Sequence, residues 1–357
     1  MKRAPLFLIA LVAIPANAAF ANELNGLSST SVIVGPDLAG GSGYAVAYRA
    51  TATKIHVLGY DANDNRTCTT PGIVDATGIV TDVSTPTFAL WNKAPYNGVL
   101  WFAGKVAAGW QLFLAFHQGT SACSGWSVVY QLASMPNGFN DTLTAAPSVV
   151  NDFDNNQYIF FADNYDGYIY WAQWGATVPG TWSTFQRVPG SLNLGADAIP
   201  SATLDVSRSR VVLAFPYLPV IAQNELSVPG NQYTGWTYQN FSAMNQNLYP
   251  GTACAGVASS DFWLVCGDAS SGNYYAMDTN TLSPWRAVTA NPPYPYALSL
   301  PSGGDVGGRK GVPMFAASGT EYSCCSGGIC HCFSNSFEIS QLSQLSWSPF
   351  VGPFAVN

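Results

Sequence analysis

A unit of about 54 residues recurs along the chain, and it restricts the possible architectures more than any other feature. Its first run often opens with Pro or Thr: "TPTFALW" from position 85, "APSVVND" from 146, "IPSATLD" from 199, "ACAGVAS" from 253 and "LPSGGDV" from 300. A more apolar run follows each one: "GVLWFAG", "QYIFFAD", "RVVLAFP", "FWLVCGD" and "GVPMFAA". A tryptophan closes each unit, at Trp126, Trp182, Trp236, Trp285 and Trp347, with intervals of 56, 54, 49 and 62 residues. An earlier unit, "SVIVGPDLAGGSGYAVAYRATATKIHVLGY", has the runs without the matching tryptophan. Short runs of Val, Ile, Tyr, Phe and Trp bounded by Gly, Asn, Asp and Pro read as strands, and no stretch has a sustained helical period. Each unit fits four strands, and one such sheet cannot bury both of its faces alone. Stacking the units around an axis hides those faces and leaves only short edges. The expected fold is therefore all-β: a β-propeller of about six four-stranded blades, with five or seven as alternatives.

The ring-dense stretch "YIFFADNYDGYIYWAQW" (Tyr158 to Trp174) fits this expectation. An inner strand packed between neighbours needs apolar side chains on both faces, so a continuous run replaces alternation. Most of these rings are expected in the core.

The chain opens "MKRAPLFLIALVAIPANAAFA": a basic start, an apolar run from Leu6 to Ile14, and small residues at "ANA" and "AFA". That pattern reads as a signal peptide over residues 1–21, which leaves residues 22–357 as one propeller domain in a secreted or periplasmic protein. The apolar run is too short to span a bilayer and no later one is long enough, so no membrane span is expected. Without the leader, eleven basic residues stand against twenty acidic ones, a net charge of about −9. Such a surface does not neutralise phosphates, so nucleic acid is not an expected partner. Only 9% of residues are charged while 48% are hydrophobic, which supplies a core and a largely neutral polar surface.

Eight cysteines, an even number in an exported chain, point to disulfides. Cys254 and Cys266 fall on consecutive antiparallel runs and can bridge their hairpin. Cys68 and Cys123 follow the third run of the first two units and can link adjacent blades. Cys324, Cys325, Cys330 and Cys332 lie in "CCSGGICHC", where two disulfides stapling an inserted loop compete with thiolate–zinc ligation that includes His331. The oxidising compartment favours the disulfides. Neither a metal nor a cofactor is expected.

No local pattern announces catalysis. His56 and His117 sit in apolar runs ("TKIHVLGY", "LFLAFHQG") and read as strand residues. No H-E-x-x-H, G-x-S-x-G or P-loop sequence occurs. Asp152, Asp205 and Asp305 recur after the first run of a unit, where Asp favours a turn by bonding its own backbone. Asp163, Asp166 and Asp268 follow second runs, on the side where a propeller takes its ligand.

The segment Gln157 to Val188, "QYIFFADNYDGYIYWAQWGATVPGTWSTFQRV", resembles blades of the sialidase-like superfamily and of bacterial lectins of the Photorhabdus-lectin and tectonin types. The shared form is an apolar strand, a polar turn with Gly, "YIYW", a loop and then "TWS". The likeness implies a propeller that takes carbohydrate. The chain departs from sialidases: "GATVPGT" before Trp182 lacks the Ser, Asp and spaced Gly of their S-x-D-x-G-x-T-W box. Of Arg49, Arg66, Arg187, Arg208, Arg210, Arg286 and Arg309, most fall beside strand ends away from the usual site or in degenerate positions. The pair "APSVVND" and "QYIFFAD" is also similar to blade openings of five-bladed arabinanase-like hydrolases, whose three carboxylates do not map onto this sequence residue by residue.

Connections expected on the ligand side read "FADNYDGY" (161–168), "FPYLPVIAQN" (215–224), "GDASSGNYY" (267–275) and "ANPPYPYALSL" (290–300), together with the Cys-rich insertion. Tyr165, Tyr217, Tyr294, Tyr296 and Tyr322 stand there beside polar residues, where a ring offers an apolar face and a polar tip to a sugar. With Asp163, Asp166 and Asp268 they make up the candidate ligand-binding set. The expected function is extracellular carbohydrate recognition without catalysis, the partner being a glycan or another extracellular ligand. The alternative is a glycoside hydrolase or lyase using those carboxylates, since glycoside cleavage needs two carboxyl groups at a set separation.

Overall fold

The computed structural model describes residues 32–36, 38, 43–63, 65–84, 86–90, 95–127, 129–131 and 147–151, then the strands of 157–355 with a few flanking residues. The leader lies outside them. All regular structure among the described residues is β, in six antiparallel sheets that succeed one another along the chain. The first contains β1 (Val32–Pro36), β2 (Tyr44–Thr51), β3 (Lys54–Tyr60) and β4 (Gly72–Asp75). The second contains β5 (Asp82–Val83), β6 (Thr87–Leu90), β7 (Gly98–Val106), β8 (Gly109–His117) and β9 (Tyr130–Gln131). The third contains β10 (Ser148–Asn151), β11 (Gln157–Ala162), β12 (Ile169–Trp174) and β13 (Gln186–Arg187). The fourth contains β14 (Ser201–Asp205), β15 (Arg210–Ala214), β16 (Val220–Glu225) and β17 (Thr237–Asn240). The fifth contains β18 (Cys254–Ala258), β19 (Phe262–Gly267), β20 (Tyr274–Asp278) and β21 (Arg286–Ala287). The sixth contains β22 (Ser302–Gly304), β23 (Met314–Cys325), β24 (Ile329–Ser343), β25 (Ser346–Trp347) and β26 (Val351–Ala355).

Every first and second run read from the repeat forms a strand, and neighbours in sequence pair as simple meanders. The first strands touch in series, β1 with β6, β6 with β10, β10 with β14, β14 with β18 and β18 with β22; β22 in turn meets β1. A side-chain bond helps explain the recurring Pro-Ser opening: the Ser148 hydroxyl accepts from the Ala202 backbone N–H at 2.8 Å, tying first strands of consecutive sheets.

Two sheets depart from four strands. In the second, β5 and β6 both pair with β7, at Lys105 and Gly104 and at Trp101 to Gly98 respectively. In the sixth, β26 pairs with β24 beside β25. The Cys-rich "insertion" and Tyr322 are strand rather than loop. The hairpin β23–β24 continues from the Met314–Gln341 pair to the Cys325–Ile329 pair, and Tyr322 stands opposite Phe333. Its Ser, Gly and Cys composition reads as a loop, but pairing with a facing strand satisfies the backbone and overrides that weak propensity.

Burial follows the logic of a strand between two neighbours. Along β7, Leu100 and Phe102 join Ala45, Ala47, Ile55 and Val57 of the first sheet in one core. Val99, Trp101 and Ala103 point the other way, into a second core with Ile159, Phe161 and Ala172 of the third sheet. The period of two along a strand sends alternate side chains to opposite faces, so "VLWFA" has an apolar neighbour at every position. The ring-dense stretch behaves alike: Phe161 enters the second core, while Phe160 packs edge-on against Trp236 of the fourth sheet, 6.0 Å between centroids. Inside the second core Trp101 Nε1–H donates to Gln157 Oε1 at 2.5 Å, with both residues fully buried.

The first two sheets are fastened at the end where first strands turn into second strands. Cys68, between β3 and β4, is bonded to Cys123, between β8 and β9, as the blade-linking alternative expects. Gly72 lies so close to this bridge that a Cβ on it would stand 2.8 Å from the Ala122 carbonyl oxygen. Beside it, Asn97 Nδ2 donates to the carbonyls of Leu38 and Gly119 at 2.6 and 2.7 Å. This orients Asn97 Oδ1 toward His117 Nδ1 at 2.5 Å, while His117 Nε2 meets the Ser121 carbonyl at 2.9 Å. His117 is fully buried against Trp126. Burial holds its pKa below the ordinary range, and the carbonyls of Ser121 and Ser124 oppose that shift. His117 is thus a strand residue in a structural network, as its apolar context suggests.

Two outcomes follow. The 55-residue separation of Cys68 and Cys123 makes the C68S/C123S double variant less stable by about 4 kcal/mol in the chain-entropy account, checked by denaturant unfolding. An imidazole held low in the folded state favours its neutral form there, so the unfolded chain binds the proton first as pH falls below about 6.5. Stability is then lost on acidification and is fully present above that pH. The His117→Gln variant should show a shallower loss between about pH 6.5 and 5; a steeper one would mean that the two acceptors on the ring outweigh burial.

Candidate functional site

The two ends of these sheets differ. One end carries the first-to-second and third-to-fourth connections, and with them the disulfide and the Asn97–His117 network. The other carries the second-to-third connections and the passages from sheet to sheet. There the first two sheets turn tightly, with two residues between Thr51 and Lys54 and two between Val106 and Gly109. The third, fourth and fifth sheets have longer connections: 163–168, 215–219 and 268–273. The sixth carries the long β23–β24 hairpin at this end.

Most of the expected ligand-binding residues fall in these connections. Asp163, Tyr165 and Asp166 belong to 163–168, Tyr217 to 215–219 and Asp268 to 268–273, while Tyr294 and Tyr296 precede β22. All seven lie outside the described residues; Tyr322 is on β23. Of the three aspartates read as turn residues, Asp205 ends β14, opposite Arg210, and Asp152 and Asp305 lie outside the described set. Cys254 stands directly opposite Cys266 in the β18–β19 ladder, the register a cross-hairpin bridge requires. Cys324 and Cys325 on β23 face the strand that carries Cys330 and Cys332. Among the described residues no three metal-ligating side chains converge, and no helix is long and apolar enough to cross a membrane.

The described side chains at this end form two groups. Between the first two sheets, Arg49 of β2 and Asp82 of β5 make an ion pair of 2.5 Å with each side chain 15% exposed. The Asp82 carboxylate also accepts from the Val83 N–H. The short extra strand β5 thus delivers an anion to a cation that is largely shielded from water, and it braces a part of this end where the turns are tight.

The second group lies between the third and fourth sheets. Because β13 runs antiparallel to β12, it brings Arg187 opposite Tyr170, and Val188 N–H bonds the Ile169 carbonyl at 2.9 Å. Arg187 therefore stands at the level where the 163–168 connection enters β12. Its guanidinium carbon lies 3.4 Å from the centroid of the Tyr168 ring, a stacked cation–π contact. Arg187, like Arg49, is thus at the end of the second-to-third connections, whereas most of the arginines are expected beside the opposite strand ends or in degenerate positions. Nothing in the local sequence marks Arg187; the pairing register places it. Just before β17, Trp236 packs edge-on against Phe160 and Trp171 of the third sheet at 6.0 and 6.1 Å. Tyr238, on β17 itself, is 41% exposed. Partial burial pushes its phenol up to about 12, and the nearby charge of Arg187 works against the shift. Tyr238 is therefore a neutral hydroxyl at ordinary pH.

No protein-family model and no curated protein matches the sequence. Solved structures do match in fold. The crystal structure of AofleA from Arthrobotrys oligospora aligns over 90% of this chain and 86% of its own, with 10% identity and a TM-score of 0.58. A luciferin-regenerating enzyme aligns over 92% of this chain and 96% of its own, with 9% identity and a TM-score of 0.53. An alpha-L-arabinofuranosidase from Podospora anserina, solved with cellotriose, aligns over 72% and 90%, with 15% identity and a TM-score of 0.45. At these identities the likeness concerns the course of the chain.

The brace between the first two sheets yields a testable outcome. Asp82→Asn leaves Arg49 shielded without its counter-charge and should cost about 2 kcal/mol, between the values for exposed and buried pairs. The measurement is urea unfolding at low and high salt, with the difference from wild type shrinking only slightly at high salt.

Proposed function

We propose that the six sheets are blades of a β-propeller exported from the cell, and that its ligand is carbohydrate, taken at the end bearing the second-to-third connections. One observation carries this reading: the asymmetry of that end. The first two sheets join their second and third strands by two-residue turns beside an ion pair, whereas five or six residues separate those strands in the third to fifth sheets. Those longer connections hold Asp163, Tyr165, Asp166, Tyr217 and Asp268. Rings beside carboxylates and amides match a sugar, which presents an apolar ring face and a rim of hydroxyls. The leader-like start and the Cys68–Cys123 bridge support export.

Two activities share this site. Recognition alone is the reading with which the sequence began. Glycoside hydrolysis is the second, since in the sequence Asp163 and Asp166 fall between β11 and β12 and Asp268 between β19 and β20, connections that leave their sheets at the same end. Such an enzyme needs two carboxyl groups facing each other across the scissile bond. Fold does not choose between the two, since one architecture serves both.

The experiment is a glycan array followed by product analysis with the oxidised full-length protein. Capture of a glycan without release of reducing ends supports recognition. Release of reducing ends that falls roughly 10²- to 10⁴-fold in Asp163→Asn, Asp166→Asn or Asp268→Asn, with thermal stability retained, supports hydrolysis. Failure to bind or cleave any glycan overturns the carbohydrate reading.

A further inference from the structure

The contact between the third and fourth sheets has a chemistry that the carbohydrate reading does not yet use. Arg187 is exposed on β13, and its guanidinium lies over the Tyr168 ring at 3.4 Å. A planar guanidinium stacked in this way spends its face on the ring and leaves its edge, with its fork of N–H donors, turned outward. Neither ion pair found among the described residues involves Arg187. In a chain with a formal net charge of −7, an exposed cation that no described carboxylate pairs is a local departure from the surrounding field.

Tyr238 completes the surroundings. Trp236, packed on Phe160 and Trp171, anchors the start of β17 against the third sheet. Tyr238 follows on that strand, 41% exposed, and feels the charge of Arg187. Arg187 and Tyr238 are held by strand pairing, and Tyr168 is the last residue of the 163–168 connection, directly before β12. The connections 163–168 and 215–219, which hold Asp163, Tyr165, Asp166 and Tyr217, leave the sheets at the same end.

We propose that Tyr168, Arg187 and Tyr238 form a subsite for a saccharide bearing a carboxylate, of the uronic-acid kind. The guanidinium edge grips the carboxylate through two parallel N–H···O bonds, a geometry that a neutral hydroxymethyl group does not offer. The exposed ring and hydroxyl of Tyr238 take the apolar face and a hydroxyl of the same sugar or its neighbour. Tyr168 acts through Arg187 by holding the guanidinium plane. This inference rests on the carbohydrate reading and narrows it to acidic glycans.

The test compares galacturonic- and glucuronic-acid trisaccharides with the matching galactose and glucose trisaccharides, titrated calorimetrically into the oxidised full-length protein. The acidic sugars should bind about tenfold or more tightly than the neutral ones, with affinity falling as salt rises. Arg187→Ala and Arg187→Gln should each remove about tenfold or more of the acidic affinity while the thermal midpoint stays near wild type. Arg187→Lys should recover only part of it, since an ammonium lacks the fork. Tyr238→Ala should weaken both sugar classes. Acidic binding that is unchanged in both Arg187→Ala and Arg187→Gln overturns the subsite and leaves the carbohydrate reading in place. Equal affinity for acidic and neutral sugars also overturns it. Absence of binding by every trisaccharide overturns the subsite together with the broader reading.

Discussion

Burial on both faces of a strand is the constraint on which the rest of this structure depends. A sheet with one apolar face can end its packing after one contact. Here β7 sends Leu100 and Phe102 to one neighbour and Val99, Trp101 and Ala103 to the other, so each sheet requires two partners. The requirement passes from sheet to sheet until the series meets its own beginning, and β22 does touch β1. Polar links such as Trp101 to Gln157 and Ser148 to Ala202 join neighbouring sheets and set their register. Burial of rings as large as Trp101, Phe102 and Phe160 supplies the greater share of the driving force, roughly 1.5–3 kcal/mol for each large apolar side chain.

The same constraint determines how much of the fold was legible. The runs "VLWFA" and "YIFF" are visible in the sequence because two-sided burial admits no polar position, so strand openings and the order of strands could be read directly. The Cys68–Cys123 bridge was legible as well, since both cysteines follow third strands of neighbouring units. Other features left no such mark. The two residues of β5 are too short to carry a pattern, and the reach of β23 and β24 depends on each other's backbone and not on composition. Tyr322 read as a turn residue for that reason. Arg187 was invisible as a site residue, because its position comes from the antiparallel return of β13 beside β12.

Division of labour between the two ends gives the candidate site its character. One end is fixed by a covalent bridge and by the Asn97–His117 network, whose donors and acceptors are held by backbone carbonyls. The opposite end has short turns and a brace on the first two sheets, then connections of five or six residues on the next three. This division leaves the packing of β7 and β11 untouched by changes in the connections, which is how a rigid scaffold tolerates variable loops.

The bridge between Cys68 and Cys123 closes a loop of chain that includes β4 to β8. A protease that nicks the backbone once within that loop would leave both fragments tethered to each other. The cut protein would migrate as one species until a reductant is added, and its first two sheets would keep their apposition. A severed peptide bond there would not mean a lost domain.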